Sequence, residues 1–253
     1  MQNQSWLNRK PGSGRRYRLF CFPYAGGGVG SFLPWQSVLG EDIEVCAVQL
    51  PGRGSRFLEP SIRSFEELVD TLSDLVGAHA DLPFALLGHS LGALTAFEVT
   101  RSLRRKGLPM PRHLLISGCE APHTRSTRQR LHELDDAALL EALGELNGTP
   151  AEILREHELM QLLLPAIRAD FEFVANYCYR PAAPLDVPIT VLAGLADSHV
   201  EHINVVNWDA HTAAAYAIHW LPGDHFFIDS QRTAVLDILR WVLSARGENL
   251  VAV

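Results

Sequence analysis

The stretch Phe84-Ala85-Leu86-Leu87-Gly88-His89-Ser90-Leu91-Gly92-Ala93-Leu94 decides how the remainder of the chain is read. Its first half is a continuous apolar run, as expected of a strand covered on both faces in a mostly parallel sheet. Its second half opens a helical stretch, Leu91 to Lys106, ended by Gly107 with Pro109 beyond. At the junction stands Gly88-His89-Ser90-Leu91-Gly92, a G-x-S-x-G between strand and helix. A serine on so sharp a turn projects its hydroxyl above the sheet edge, beside the positive end of the helix dipole. A Cβ at Gly88 or Gly92 is expected to collide with neighbouring backbone, so both positions require glycine.

On either side of this junction, short apolar runs alternate with longer amphipathic ones. Strands are expected at Tyr17–Phe22, Ile43–Val48, Phe84–His89, His113–Ser117, Ile189–Ala193 and Ala217–Leu221. Ser64-Phe65-Glu66-Glu67 is a capping box that opens a helix to about Ala78. The pattern implies an α/β fold, a mostly parallel sheet flanked by helices, with residues 1–253 forming a single domain. The alternation stops after Ser117. From about 120 to 179 the chain carries only helical segments, Asp135–Leu146, Pro150–Leu164 and Pro165–Tyr177, with Thr149-Pro150-Ala151-Glu152 reading as the start of the second. This insertion is expected to form a lid. Its segment Pro150–Leu164 carries Ile153, Leu154, Leu159, Met160, Leu162, Leu163 and Leu164, more apolar surface than one core-facing stripe needs.

The 253 residues are 47% hydrophobic and 20% charged, enough for one sizeable core. Lys and Arg number 22 against 29 Asp and Glu, and the net charge of -7 disfavours phosphate backbones and anionic lipid as partners. Met1-Gln2-Asn3-Gln4-Ser5 has no charged segment leading into an apolar one, and no apolar run approaches the ~20 residues of a membrane span. A cytoplasmic protein without nucleic-acid or membrane partners is expected. Cys21, Cys46, Cys119 and Cys178 form no Cys-x-x-Cys pair, so they are expected to be buried free thiols.

Ser90 needs a base, and the base needs an orienting acid. In sheets of this kind the three follow the chain order nucleophile, acid, histidine. Of the 11 histidines, His225 in Gly223-Asp224-His225-Phe226-Phe227 lies just past the last expected strand and is the base candidate. Two carboxylates compete to orient it. Asp197 ends the Gly-led turn Gly194-Leu195-Ala196-Asp197 after the penultimate strand and is preferred; Glu120, after the strand His113–Ser117, is the alternative. His89 is expected to point elsewhere, and no two histidines have metal-ligand context, so neither metal nor cofactor is expected. An oxyanion is expected between the backbone N–H of Leu91 and that of Ala25, in the loop Phe22-Pro23-Tyr24-Ala25-Gly26-Gly27-Gly28. No Gly-Lys-Ser/Thr follows these glycines, and Ser31 replaces the third glycine of a dinucleotide fingerprint, which excludes nucleotide binding.

With these residues placed, the chain closely resembles the type II thioesterases, the α/β-hydrolases that accompany nonribosomal peptide and polyketide synthases. The resemblance rests on Cys21 to Gly27, Leu50-Pro51-Gly52-Arg53-Gly54 with Arg56, the Ser90 motif, and Ile116-Ser117-Gly118 before Ala121-Pro122. It continues through Leu164-Pro165 with Arg168-Ala169-Asp170-Phe171 to Gly223 to Phe227. Leu91 stands where many relatives carry Met, which leaves the backbone donor intact. Arg168 and Asp170 match the pattern without a chemical role that the sequence supplies, beyond an ion pair on a helix surface. The resemblance implies hydrolysis of acyl thioesters on the phosphopantetheine arm of an acyl- or peptidyl-carrier protein, by a monomer with a mobile lid. Two alternatives stand beside it: a carboxylesterase or lipase acting on oxygen esters, and a catalytically silent fold that binds acyl chains. An acidic carrier needs a basic surface on a protein of this charge. The clusters available are Arg101, Arg104, Arg105 and Lys106 at a helix end, and Arg125, Arg128 and Arg130 at the lid entrance, the second preferred because it lies on the active-site side.

Overall fold

Every residue of Ile43–Val48, Phe84–His89 and Ile189–Gly194 is buried, as continuous apolar runs require when helices cover both faces of a sheet. The computed structural model describes residues 6–124 and 130–244. Its strands are β1 (Leu7–Asn8), β2 (Tyr17–Phe22), β3 (Ile43–Val48), β4 (Phe84–His89), β5 (His113–Ser117), β6 (Ile189–Gly194) and β7 (Tyr216–Leu221). The first helices are α1 (Gln36–Leu39), α2 (Phe65–Ala78), α3 (Leu91–Lys106) and α4 (Asp136–Glu145). They are followed by α5 (Ala151–Arg155), α6 (His157–Asn176), α7 (His202–Val206), α8 (Phe227–Ser230) and α9 (Arg232–Val242).

The strands form one 7-stranded sheet in the order β1-β3-β2-β4-β5-β6-β7. Among the described residues β1 and β3 pair antiparallel and the other neighbouring strands pair in parallel. The central strand β4 shows how alternation builds both cores: Leu86 packs with Leu68, Leu72 and Phe97 from α2 and α3, while Leu87 packs with Trp35, Val235 and Leu239 from the α1 and α9 side. Its register, Phe22 beside Gly88 and Gly88 beside Ile116, places the ends of β2, β4 and β5 at one sheet edge. Ligands bind outside such carboxyl ends.

The expected strands recur within one residue at each end, and β1 is added at the sheet edge, too short at two residues to carry a periodic signal. Ser64 caps α2 by accepting the Glu67 N–H at 3.2 Å, and Asp135 caps α4 by accepting the Ala138 N–H at 2.9 Å.

The helical boundaries around Pro165 differ from expectation. The chain breaks at Glu156, and α6 then runs unbroken through Pro165. Proline removes the hydrogen bond to the carbonyl of Gln161. Gln161 and Pro165 both face solvent, so water can satisfy that carbonyl, while Met160, Leu164 and Ile167 hold the opposite face. Thr149 does not cap α5 either; Pro150 occupies that position without a side-chain bond. Cys21, Cys46 and Cys119 are buried, but Cys178 is exposed, because it follows the end of α6 where the chain leaves the core.

Candidate active site

Ser90 sits between β4 and α3 with φ 54° and ψ −115°, a conformation costing a non-glycine residue about 1–3 kcal/mol. Its neighbours enforce the turn. A Cβ on Gly92 would stand 2.1 Å from the Phe22 carbonyl oxygen, so α3 can enter this close to β2 only through glycine. The Ser90 N–H donates to the Ser117 carbonyl at 2.8 Å, and the Ser90 carbonyl accepts the Ala93 N–H at 3.0 Å. The backbone is thereby tied to β5 and α3, and Ser90 lines a cavity of about 270 Å³ together with Tyr24, Ala25, His225 and Phe226. The amides of Ala25 and Leu91 donate no hydrogen bond among those formed by the described residues. Leu91 packs its side chain into the core at 2% exposure, leaving its backbone as the group it can offer.

His225 Nδ1 lies 2.8 Å from Asp197 Oδ2, and both residues are buried. The second Asp197 oxygen accepts the His199 N–H at 2.9 Å, which fixes the carboxylate plane. With Nδ1 engaged by the carboxylate, the imidazole is held as the tautomer that leaves Nε2 free to accept a proton. Glu120 is directed elsewhere: Oε1 accepts the Glu201 N–H at 2.8 Å and Asn204 Nδ2 at 3.2 Å, pinning the start of α7. No hydrogen bond joins Ser90 to His225 among those formed by the described residues, a spacing that tightens commonly only when substrate is bound.

His89 points beneath the site. Its Nδ1 bonds Ser117 Oγ at 2.9 Å, and its ring centroid lies 5.0 Å from that of His225. Burial first, and the neighbouring His225 second, push its pKa well below the ordinary histidine range. It therefore stays neutral and sets no positive charge beside His225. His211, by contrast, lies away from the triad candidates, hydrogen-bonded through Nε2 to His123 Nδ1 at 2.8 Å.

The segment between β5 and β6 supplies most of the remaining wall, and its side chains there are largely apolar: Leu143, Leu146, Ile153, Met160, Leu163, Ile167 and Phe171. Gly148 also lines it, and a Cβ there would stand 2.2 Å from Phe226 Cζ. Of the two charged residues that the sequence leaves without a role in this region, Asp170 stands beside the site and Arg168 does not. Asp170 is not on a helix surface; at 2% exposure it accepts two bonds from Arg53, at 2.6 and 2.8 Å, and one from the Gly26 N–H at 2.8 Å. Arg168 donates to the carbonyls of His132 and Leu134 and to Asp136 at 2.6 Å, and does not pair with Asp170. Both arginines and Asp170 lie in quoted motifs, but no local signal pairs residues 117 positions apart.

Among the described residues no group of three or more His, Cys, Asp or Glu is placed to hold a metal. Among the same residues no helix is long and apolar enough to cross a membrane. The cations of the α3 end are largely committed. Arg101 is buried against Glu98, Arg104 caps the carbonyls of Ala183 and Pro184, and Lys106 pairs with Asp70 and Asp74. Arg130 pairs with Glu133 at 2.8 Å, while Arg125 and Arg128 lie outside the described residues.

A parallel sheet of this strand order, a serine at a strained strand-to-helix turn and a helical segment over the carboxyl edge define an α/β-hydrolase. The thioesterase domain model matches residues 17–242. The gramicidin S biosynthesis protein GrsT of Aneurinibacillus migulanus is 36% identical over 237 residues, covering 94% of this chain and 93% of that protein. The structure of RedJ, a thioesterase from the prodiginine biosynthetic pathway in Streptomyces coelicolor, superimposes with a TM-score of 0.85 at 38% identity, covering 91% of this chain and 87% of that one. BorB, a type II thioesterase from the borrelidin biosynthetic cluster, gives 0.86 at 34% identity, covering 92% and 96%. The chain belongs to the thioesterase family, among the type II thioesterases of nonribosomal peptide and polyketide synthase pathways.

Proposed function

We propose that this protein edits synthase intermediates by hydrolysing acyl thioesters on the phosphopantetheine arm of an acyl- or peptidyl-carrier protein, through an acyl-enzyme on Ser90. His225 accepts the Ser90 proton as the hydroxyl attacks the thioester carbonyl, and Asp197 stabilises the imidazolium that forms. The developing oxyanion is received by the N–H groups of Ala25 and Leu91. His225 then returns the proton to the departing thiolate. In the second half it takes a proton from the attacking water and passes it to Ser90 Oγ as the acyl C–Oγ bond breaks and the acid is released. No metal or diffusible cofactor takes part. Residues 120–179 act as the lid of a single domain, and the enzyme works as a monomer in the cytoplasm.

The observation that carries this reading is the 2.8 Å bond between Asp197 and His225 at the wall of a cavity shared with Ser90 and Ala25. A fluorophosphonate probe should label Ser90, and Ser90→Ala should abolish both labelling and turnover. Failure of the intact protein to label would revive a silent, acyl-binding fold. Matched acyl-carrier and alkyl-ester substrates distinguish the reaction: ester turnover without carrier turnover would move the enzyme to the carboxylesterases.

A further inference from the structure

We infer that Arg53 and Asp170 are positioning residues for the oxyanion loop, making the placement of the Ala25 amide depend on the seating of helix α6. This inference rests on the Ser90 acyl-enzyme reading. Arg53 and Asp170 are 7% and 2% exposed, and neither touches the nucleophile, the base or its acid among the contacts of the described residues. They hold the loop that carries Ala25. Asp170 Oδ2 accepts the N–H of Gly26, the next residue in the chain, at 2.8 Å. Arg53 Nη1 bonds the same oxygen at 2.6 Å and also donates to the Gly27 carbonyl at 3.0 Å. Arg53 Nη2 closes the fork on Asp170 Oδ1 at 2.8 Å. Both sides of the glycine run are therefore tied to one buried carboxylate, and with them the peptide plane that follows Ala25.

That carboxylate stands on α6, which also supplies Met160, Leu163, Ile167 and Phe171 to the cavity wall. Helix and loops are in close contact here. A Cβ on Gly26 would lie 3.3 Å from Ile167 Cγ1, and one on Gly52 would lie 3.3 Å from the Ala166 Cβ. One helix thus builds the acyl-facing wall and, one turn further on, anchors the oxyanion loop. If α6 shifts away, Gly26 loses its acceptor and Arg53 loses its counter-charge, and the Ala25 donor loses its fixed direction.

A buried ion pair is a poor device for stability alone, since well-packed apolar replacements of similar volume are often neutral or stabilising, whereas removing one partner strands the other. Fixed direction is what an oxyanion donor needs, because it acts by being aimed before charge develops. The loss on disturbing the pair should therefore appear in the transition state and leave substrate binding largely intact.

The test uses the full chain. The double variant Arg53→Met with Asp170→Leu should keep its thermal midpoint, lose about 10- to 100-fold in kcat, and hold KM for acyl-pantetheine within about threefold. Binding of a trifluoromethyl ketone analogue, which forms an oxyanion on Ser90, should weaken in step with kcat. Asp170→Asn keeps an acceptor for the Gly26 N–H but removes the counter-charge; it should show the same split in whatever fraction remains folded. This second variant serves if the double variant does not fold. Wild-type kcat and analogue affinity in either folded variant would overturn the inference, as would equal losses of analogue and substrate binding. Failure of the underlying reading looks different, because the unsubstituted enzyme would then resist fluorophosphonate labelling.

Discussion

The carbonyl oxygen of Gly92 stands only 1.9 Å from where a Cβ on Gly88 would be. Strand β4 and the first turn of α3 therefore meet backbone to backbone, and the strained Ser90 between them is a consequence of that approach. No flexible side chain is available to yield. Gly88→Ala should destabilise the protein by more than about 4 kcal/mol, at the exceptional end for point substitutions, and Gly92→Ala should behave alike against the Phe22 carbonyl. Urea denaturation of both variants checks this; a folded Gly88→Ala enzyme with an unchanged midpoint would contradict the packing.

Asp197→Asn should leave the fold intact and lower turnover by about 10⁴-fold, because the amide no longer stabilises the charged imidazole and favours the wrong tautomer. Glu120→Gln should lower it far less, since its oxygen bonds Glu201 and Asn204 rather than His225. Steady-state kinetics on acyl-pantetheine with both variants decides the order. The reverse ranking would transfer the acid role to Glu120 without changing the reaction class.

The apolar wall should set the ranking of acyl chains. Leu163→Ala opens the cavity at a half-buried position, and each additional methylene that fills the space should gain about fourfold in kcat/KM, following ~0.8 kcal/mol per buried CH₂. Gly148→Ala works from the other side: its Cβ would stand 2.2 Å from Phe226 Cζ, so the ring must move within the cavity lining. Acyl-pantetheine series of increasing length measure both. A loss of stability with the ranking preserved would leave the wall a purely structural one.

Stability should fall on mild acidification. Burial depresses the pKa of both His113 and His211 to about 4, with His123 and Arg101 adding to the effect at His211. Between about pH 6.5 and pH 4 the unfolded chain binds protons that these folded histidines refuse, so unfolding is favoured as pH falls and stability rises with pH through that window. The urea midpoint should be lower at pH 5 than at pH 7. His113→Gln, which retains an acceptor or donor near Thr190, should reduce the proton uptake on unfolding at pH 5 by about one.

His113 also shows what the local pattern of residues leaves out. It opens an apolar run that reads as a strand, which it does, yet its partner Thr190 lies 77 positions away on β6.

Apolar runs bounded by Gly and Pro determined the strands, because a strand covered on both faces is apolar over its own length and needs no distant information. The Ser90 turn was legible for the same reason: Gly88, Ser90 and Gly92 lie within one strand-to-helix junction, and their steric demands are local. Chain order brought Asp197 and Glu120 into view for His225. Folding sets Asp197 Oδ2 at 2.8 Å from His225 Nδ1 and turns Glu120 to α7, distances that chain order does not carry. Helical periodicity failed at Pro165, where solvent on one face and the packing of Met160, Leu164 and Ile167 on the other kept α6 continuous. Least accessible to sequence was Asp170, a helical carboxylate indistinguishable by spacing from a solvated one. Only the tertiary structure puts it under the glycine loop after β2 with Arg53, because a buried charge is defined by what surrounds it and those surroundings come from that loop, the loop after β3 and α6 together.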